Sequence, residues 1–158
     1  MAAQDVVLKD VPTRTIAYLK CTGPWRQLPE ILANLNGCMS RSGVKATGPA
    51  SGVYYNTPEE VSVQDLEWEV FYPVKLELLG LVEGKEGFGV RQLPGARVAS
   101  IVHKGSYRKA GPSYEHLEEW IKREGIEVCG PAEEVYVSGI TIPGEEQTME
   151  IRLPISSA

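Results

Sequence analysis

The chain has only two histidines, His103 and His116, and three cysteines, Cys21, Cys38 and Cys129, among its 158 residues. Neither set carries metal-ligand spacing: the histidines stand thirteen residues apart and no CxxC pair occurs, so no zinc or haem motif can be read and no cofactor is expected. An odd, scattered cysteine count also speaks against a disulfide framework and for reduced thiols. Nowhere do about eighteen apolar residues run together. The opening MAAQDVVLKD lacks the basic start and apolar stretch of a secretion signal, so a soluble, cytoplasmic protein without a membrane partner is expected. Positive charge is in deficit, with 16 Lys and Arg against 21 Asp and Glu and a formal net charge of -5, which argues against direct DNA binding. GxSxG, phosphate-loop and Ser-His-Asp signatures are missing as well.

What the chain does have is itself, twice. Shifted by 82 positions, VPTRTIAYLKCTGPW (11 to 25) falls on LPGARVASIVHKGSY (93 to 107), and SGVKATGPA (42 to 50) falls on EGIEVCGPA (124 to 132). Twelve of the forty-three positions from Pro12 to Tyr54 are identical without a gap, which is too many, with glycines and prolines in step, for coincidence. After one deleted residue WEVFYPV (68 to 74) meets MEIRLPI (149 to 155), so Glu69 corresponds to Glu150.

Each run reads as two strands, a helix and two more strands. RTIAYLKC (14 to 21) is rich in β-formers and is closed by Gly23-Pro24. Leu28, Ile31, Leu32, Leu35 and Met39 then recur at helical spacing up to Gly43. In the second run Pro112 opens a helix whose apolar face is Tyr114, Leu117, Trp120 and Ile121, ending at Gly125. Strands follow at 53–57, 67–74, 133–140 and 147–155. Neither run can bury both faces of its own sheet, so one α+β domain over 1–158 is expected, with pseudo-two-fold halves at about 4–75 and 86–156 and a linker over 75–85.

Alternation in TMEIRLPI puts Met149, Ile151, Leu153 and Ile155 on one face and Glu150 and Arg152 on the other. Under pseudo-symmetry Glu69 and Glu150 can face a common groove; on periodicity alone each reads as an ordinary solvent-facing strand carboxylate, with Arg152 as a ready partner for Glu150. Trp25, Tyr54, Tyr55, Tyr72, Tyr107, Tyr114, Trp120 and Tyr136 are more aromatic side chains than a core of this size needs, and they suit an apolar cavity with polar handles.

The order LPGARVASIVHKGSY, SYEHLEEWI, GIEVCGPAEEVYV, MEIRLPI resembles the GyrI-like small-molecule-binding domain, also found as the effector-binding domain of AraC-type and MerR-type multidrug-sensing regulators. The resemblance spans essentially the whole chain. It implies two fused βαββ modules, SHS2-like repeats of antiparallel strands with two main helices, around a central cleft. That cleft would take bulky, amphipathic, cationic or aromatic compounds between aromatic side chains and a glutamate. Carried over residue by residue, the glutamate is Glu150, the aromatic after the glycine is Tyr107 and the helix aromatics are Tyr114 and Trp120; Trp25, Glu69 and Tyr136 complete the candidate ligand set. Because the repeat starts within ten residues of the first, a stand-alone sensor or sequestering protein, read by a separate regulatory protein, is expected. Two alternatives are open: a hydrolase of strained cyclopropanoid compounds with Glu150 as general base, and a protein partner such as DNA gyrase.

Overall fold

The computed structural model describes residues 5–156. Its elements run β1 (Val7–Val11), β2 (Arg14–Thr22), α1 (Leu28–Arg41), β3 (Ser51–Tyr54), β4 (Glu67–Pro73), β5 (Phe88–Leu93), β6 (Ala96–Lys104), α2 (Gly111–Arg123), β7 (Ala132–Val135) and β8 (Thr148–Pro154). This is a mixed α+β protein of antiparallel strands and two helices, in which strand-strand-helix-strand-strand occurs twice. β6 begins 82 positions after β2 and β8 81 positions after β4, the same offsets at which the sequence falls on itself.

The chain divides into two compact units, one spanning Thr13–Pro94 and the other joining the stretch up to Pro12 to the chain from Gly95 onward. In the first the strand order is β3-β4-β2-β5, and in the second β1-β6-β8-β7, antiparallel throughout. The units therefore cut the chain differently from the repeat halves at 4–75 and 86–156. The opening strand of each run is paired with the strands of the other run: β1 with β6, and β5 with β2. Pro12-Thr13 and Pro94-Gly95, which join these strands to the next ones, lack the Asn-Gly type of pair that a two-residue hairpin favours, and the chain passes on instead of folding back.

In the Thr13–Pro94 unit α1 packs on β2 and β4 and buries Leu32, Leu35 and Met39. β4 is buried on both faces: Trp68 and Val70 on one, Glu69 and Phe71 on the other, where Phe71 joins Ile16 and Val53 with Tyr18 and Leu93 against them. In the other unit α2 packs on β6 and buries Leu117 and Ile121, while Ile101, Met149 and Ile151 are closed off completely. Both helices carry proline in the first turn, Pro29 and Pro112, where its missing N–H costs nothing. Both stop at a left-handed glycine, Gly43 and Gly125, each at φ 69°. β3 and β7 are shorter than the runs 53–57 and 133–140 suggest. After Val135 the chain turns, with Gly139 at φ 77° donating its N–H to Tyr136 O at 2.9 Å. Among the described residues no helix is long and apolar enough to cross a membrane, and no group of three or more His, Cys, Asp and Glu could hold a metal ion.

Candidate functional site

Glu150 is registered beside Val102 of β6 and Val135 of β7, on the face opposite to the buried Met149 and Ile151. It is the centre of an ion-pair net. Lys9 Nζ lies 2.5 Å from Oε2 and Arg152 Nη2 3.0 Å from Oε1, while Ser100 Oγ donates to Oε2 at 2.6 Å. Arg152 also reaches Glu133 Oε2 at 3.3 Å. Burial pushes the Glu150 carboxyl up, but the hydrogen bonds from Arg152, Lys9 and Ser100 and the charge of Arg152 outweigh it and hold the group at about 2. The carboxylate is thus ionised, and its charge is already matched by the protein's own cations.

Glu69 is only 2% exposed and is met by Arg91 on β5. Arg91 Nη1 donates to Oε2 at 2.9 Å and Nη2 to Oε1 at 2.5 Å, a two-pronged pair, and Tyr55 Oη donates to Oε1 at 3.4 Å. The guanidinium carbon sits 4.2 Å from the centre of the Tyr18 ring. Tyr18 in turn lies over Gly89, where a Cβ would come within 2.7 Å of its hydroxyl, so a larger residue there would have to push the Tyr18 ring aside. The hydrogen bond to Glu69 is the main reason that the Arg91 pKa is raised, and burial followed by the Glu69 charge raises the Tyr55 phenol.

Three of the remaining candidates, Tyr107, Tyr114 and Tyr136, converge elsewhere, on a residue that alternation alone does not single out. Glu134 of β7 is registered beside Ile151, on the face that α2 covers. Its Oε2 accepts a short hydrogen bond from Tyr114 Oη of α2, and its Oε1 accepts one from Tyr136 Oη at 2.9 Å. The Tyr136 ring is 1% exposed and lies 5.1 Å from that of Tyr107, tilted by 50°. Tyr107 is itself pinned: its hydroxyl donates to Gly139 O at 2.5 Å and lies 3.2 Å from Ser138 Oγ. Behind them His103 bridges strand and helix, with Nε2 donating to Ser106 O and Nδ1 facing Ser113 Oγ, both at 2.9 Å. Burial raises the Glu134 carboxyl, and the two phenols and His103 pull it only part of the way back. Burial, with the Glu134 charge adding to it, also raises the Tyr107 phenol.

Tyr107, Tyr114 and Tyr136 are therefore brought together, while the other candidates lie apart. Trp120 stands six positions beyond Tyr114 on α2, about 240° further round the helix, and nothing among the described residues ties it to Glu134. Trp25 belongs to the Thr13–Pro94 unit, where it meets Tyr54 edge-on at 5.3 Å, and Tyr54 stacks on Trp68 at 5.8 Å. Glu134 has a signal in the sequence once it is sought: in GPAEEVYV it shares strand parity with Tyr136. The 82-residue shift puts Gly52, Leu32 and Cys21 where Glu134, Tyr114 and His103 stand, so this chemistry occurs in one unit and has no counterpart in the other.

The model of the GyrI-like small molecule binding domain matches residues 4–156. Among solved structures the chain is similar to the EcmrR C-terminal domain, with a TM-score of 0.83 and 15% identity over 99% of this chain and 100% of that one. It spans 58% of the EcmrR chain in its complex with DNA. A hydrolase from Listeria innocua gives a TM-score of 0.67 at 15% identity over 96% of this chain and 91% of that one. SAV2435 bound to tetraphenylphosphonium gives 0.59 at 15% identity over 97% and 94%. At such identities these likenesses concern the fold. No curated protein matches the chain.

Proposed function

The chain belongs to the GyrI-like small-molecule-binding family, and from that premise we propose that it captures amphipathic aromatic cations at the corner formed by Glu134, Tyr114, Tyr136 and Tyr107. The observation that carries this reading is the partly buried Glu134 carboxylate, held by two phenols and raised by burial. A carboxylate in such a place is costly to ionise, and a hydrophobic cation supplies both a countercharge and apolar area. Neighbouring aromatic faces add about 0.5 to 2 kcal/mol each through cation-π attraction. Glu150 and Glu69, assigned this part on sequence grounds, are occupied by Lys9, Arg152 and Arg91 and serve as structural ion pairs in this reading. SAV2435, which shares the fold, is bound to tetraphenylphosphonium, a ligand of the proposed chemistry.

The test is a titration with tetraphenylphosphonium followed by tryptophan fluorescence and calorimetry. Glu134→Gln should weaken binding at least tenfold, and Glu150→Gln should leave it within about twofold. Equal binding by wild type and Glu134→Gln would overturn the assignment.

A second reading rests on the same carboxyl. A raised pKa suits a general base working near neutral pH, and a hydrolase from Listeria innocua shares the fold. In that reading Glu134 takes the place of Glu150, whose value near 2 makes it a poor proton acceptor. Consumption of a cyclopropanoid electrophile that stops in Glu134→Gln supports turnover; binding without consumption leaves capture alone.

A further inference from the structure

We propose that the Thr13–Pro94 unit carries a second binding site, at Trp25 and Tyr54, for uncharged aromatic compounds that bear a carbonyl acceptor. It stands apart from the Glu134 corner and does not depend on the reading given to that corner.

The repeat leads to it. At the 82-residue shift Trp25 and Tyr54 fall on Tyr107 and Tyr136. The two pairs are built alike. Trp25 and Tyr107 each open a short helical turn two residues after a left-handed glycine, Gly23 at φ 124° and Gly105 at φ 113°. The ring centres lie 5.3 Å apart in one pair and 5.1 Å in the other. What surrounds them differs. Gly52 and Leu32 stand where Glu134 and Tyr114 do, so no carboxylate answers to Glu134. Glu69 of β4 is registered beside Val53, on the face opposite to Tyr54 and Trp68, which are registered with each other. The pair therefore keeps the aromatic surface and lacks the charge.

A donor stands in place of the charge. Tyr107 Oη gives its proton to Gly139 O, whereas Trp25 Nε1 is closed off from water and has no hydrogen-bond partner among the described residues. An indole N–H can only donate, and a buried one normally finds an acceptor. Trp68, the next ring in the stack, does so, donating to Gly23 O at 2.9 Å. The Trp25 ring as a whole is only half-buried, so a planar compound can lie against it with a carbonyl oxygen turned to Nε1. Pairing that donor recovers the cost of leaving it unpaired, roughly a factor of ten in affinity. A hydrocarbon of the same shape leaves the N–H as it was, and a cation gains nothing from it.

The test compares 1-indanone with indane, which share one bicyclic frame and differ by a carbonyl. Both are titrated by NMR into wild type, Trp25→Phe and Glu134→Gln, with the 15N-labelled indoles of the three tryptophans followed. Indanone should move the Trp25 indole proton downfield in wild type, and indane should not. The ratio of the two affinities should favour indanone about tenfold more in wild type than in Trp25→Phe, and Glu134→Gln should leave that ratio within about twofold of wild type. The wild-type indole shift decides the matter even where Trp25→Phe is destabilised. A Trp25 proton that indanone leaves in place, or a ratio equal in wild type and Trp25→Phe, overturns the inference. So does a Trp25 proton that already lies far upfield in the free protein, because the Tyr54 ring is then its acceptor. A ratio that collapses in Glu134→Gln places the ketone at the other corner and overturns it as well, as does binding of neither compound.

Discussion

Arg91 closes on Glu69 with both arms of its guanidinium, at 2.9 and 2.5 Å, and the carboxylate it holds is almost wholly shut off from water. Burying such a pair brings little net stability, but removing one partner strands the other charge. Arg91→Ala should therefore cost about 3 to 5 kcal/mol. Arg91→Met combined with Glu69→Gln should recover much of that loss. Urea unfolding of the three proteins checks both statements, and a double variant no more stable than Arg91→Ala contradicts the second.

The Glu150 net makes a prediction about acid. Its folded pKa, about 2, lies below the ordinary 4.5, so its contribution is complete above 4.5 and is lost as the pH falls through 2. Near neutral pH Glu150→Gln should be less stable than wild type by about 1 to 3 kcal/mol. Thermal unfolding of both proteins between pH 7 and pH 2 should bring the two curves together at the acid end.

Glu134 has the opposite sign. Its raised folded pKa means that its contribution to stability is present below the unfolded value and lost as the pH rises through the folded one. Glu134→Gln should accordingly look more favourable, relative to wild type, as the pH increases. Affinity for a permanently charged cation should move the other way, rising with pH as the carboxyl ionises. Calorimetry in buffers of different ionisation enthalpy should register proton release on binding at the acid end of this range. Binding that does not change with pH would separate Glu134 from the ligand.

The three thiols should react in an order set by burial. Cys21 is buried and its thiol is pushed up to about 12, chiefly by burial, whereas Cys129 is exposed. A disulfide reagent at pH 8 should label Cys129 promptly and Cys21 only when the protein is unfolded, as peptide mass mapping can show.

The strands and helices were open to reading because their signals are local. Met149, Ile151 and Leu153 alternate on β8, Leu117 and Ile121 share a helical face, and Gly43 and Gly125 end helices, as the spacing predicts. The partners of the acids were not, because they depend on which strands pair. Lys9 reaches Glu150 only because β1 is laid beside β6, and Arg91 reaches Glu69 only because β5 is laid beside β2. Glu134 was obscured for another reason. Strand parity alone does not say which of Glu133 and Glu134 is covered; register places Glu134 beside Ile151, where Tyr114 of α2 meets it.

The pairing of β1 with β6 also sets an order in time. Val7 lies opposite Ser100, so β1 leaves the ribosome about 90 residues ahead of the strand it needs. Until β6 has been made, Lys9 has no Glu150 to meet and the backbone of β1 has no ladder to join. At a few residues per second to a few tens, that wait lasts several seconds or more. A chaperone or nascent-chain partner has that interval in which to find β1 unpaired, and a late-folding strand of this kind ties completion of the unit to completion of the chain.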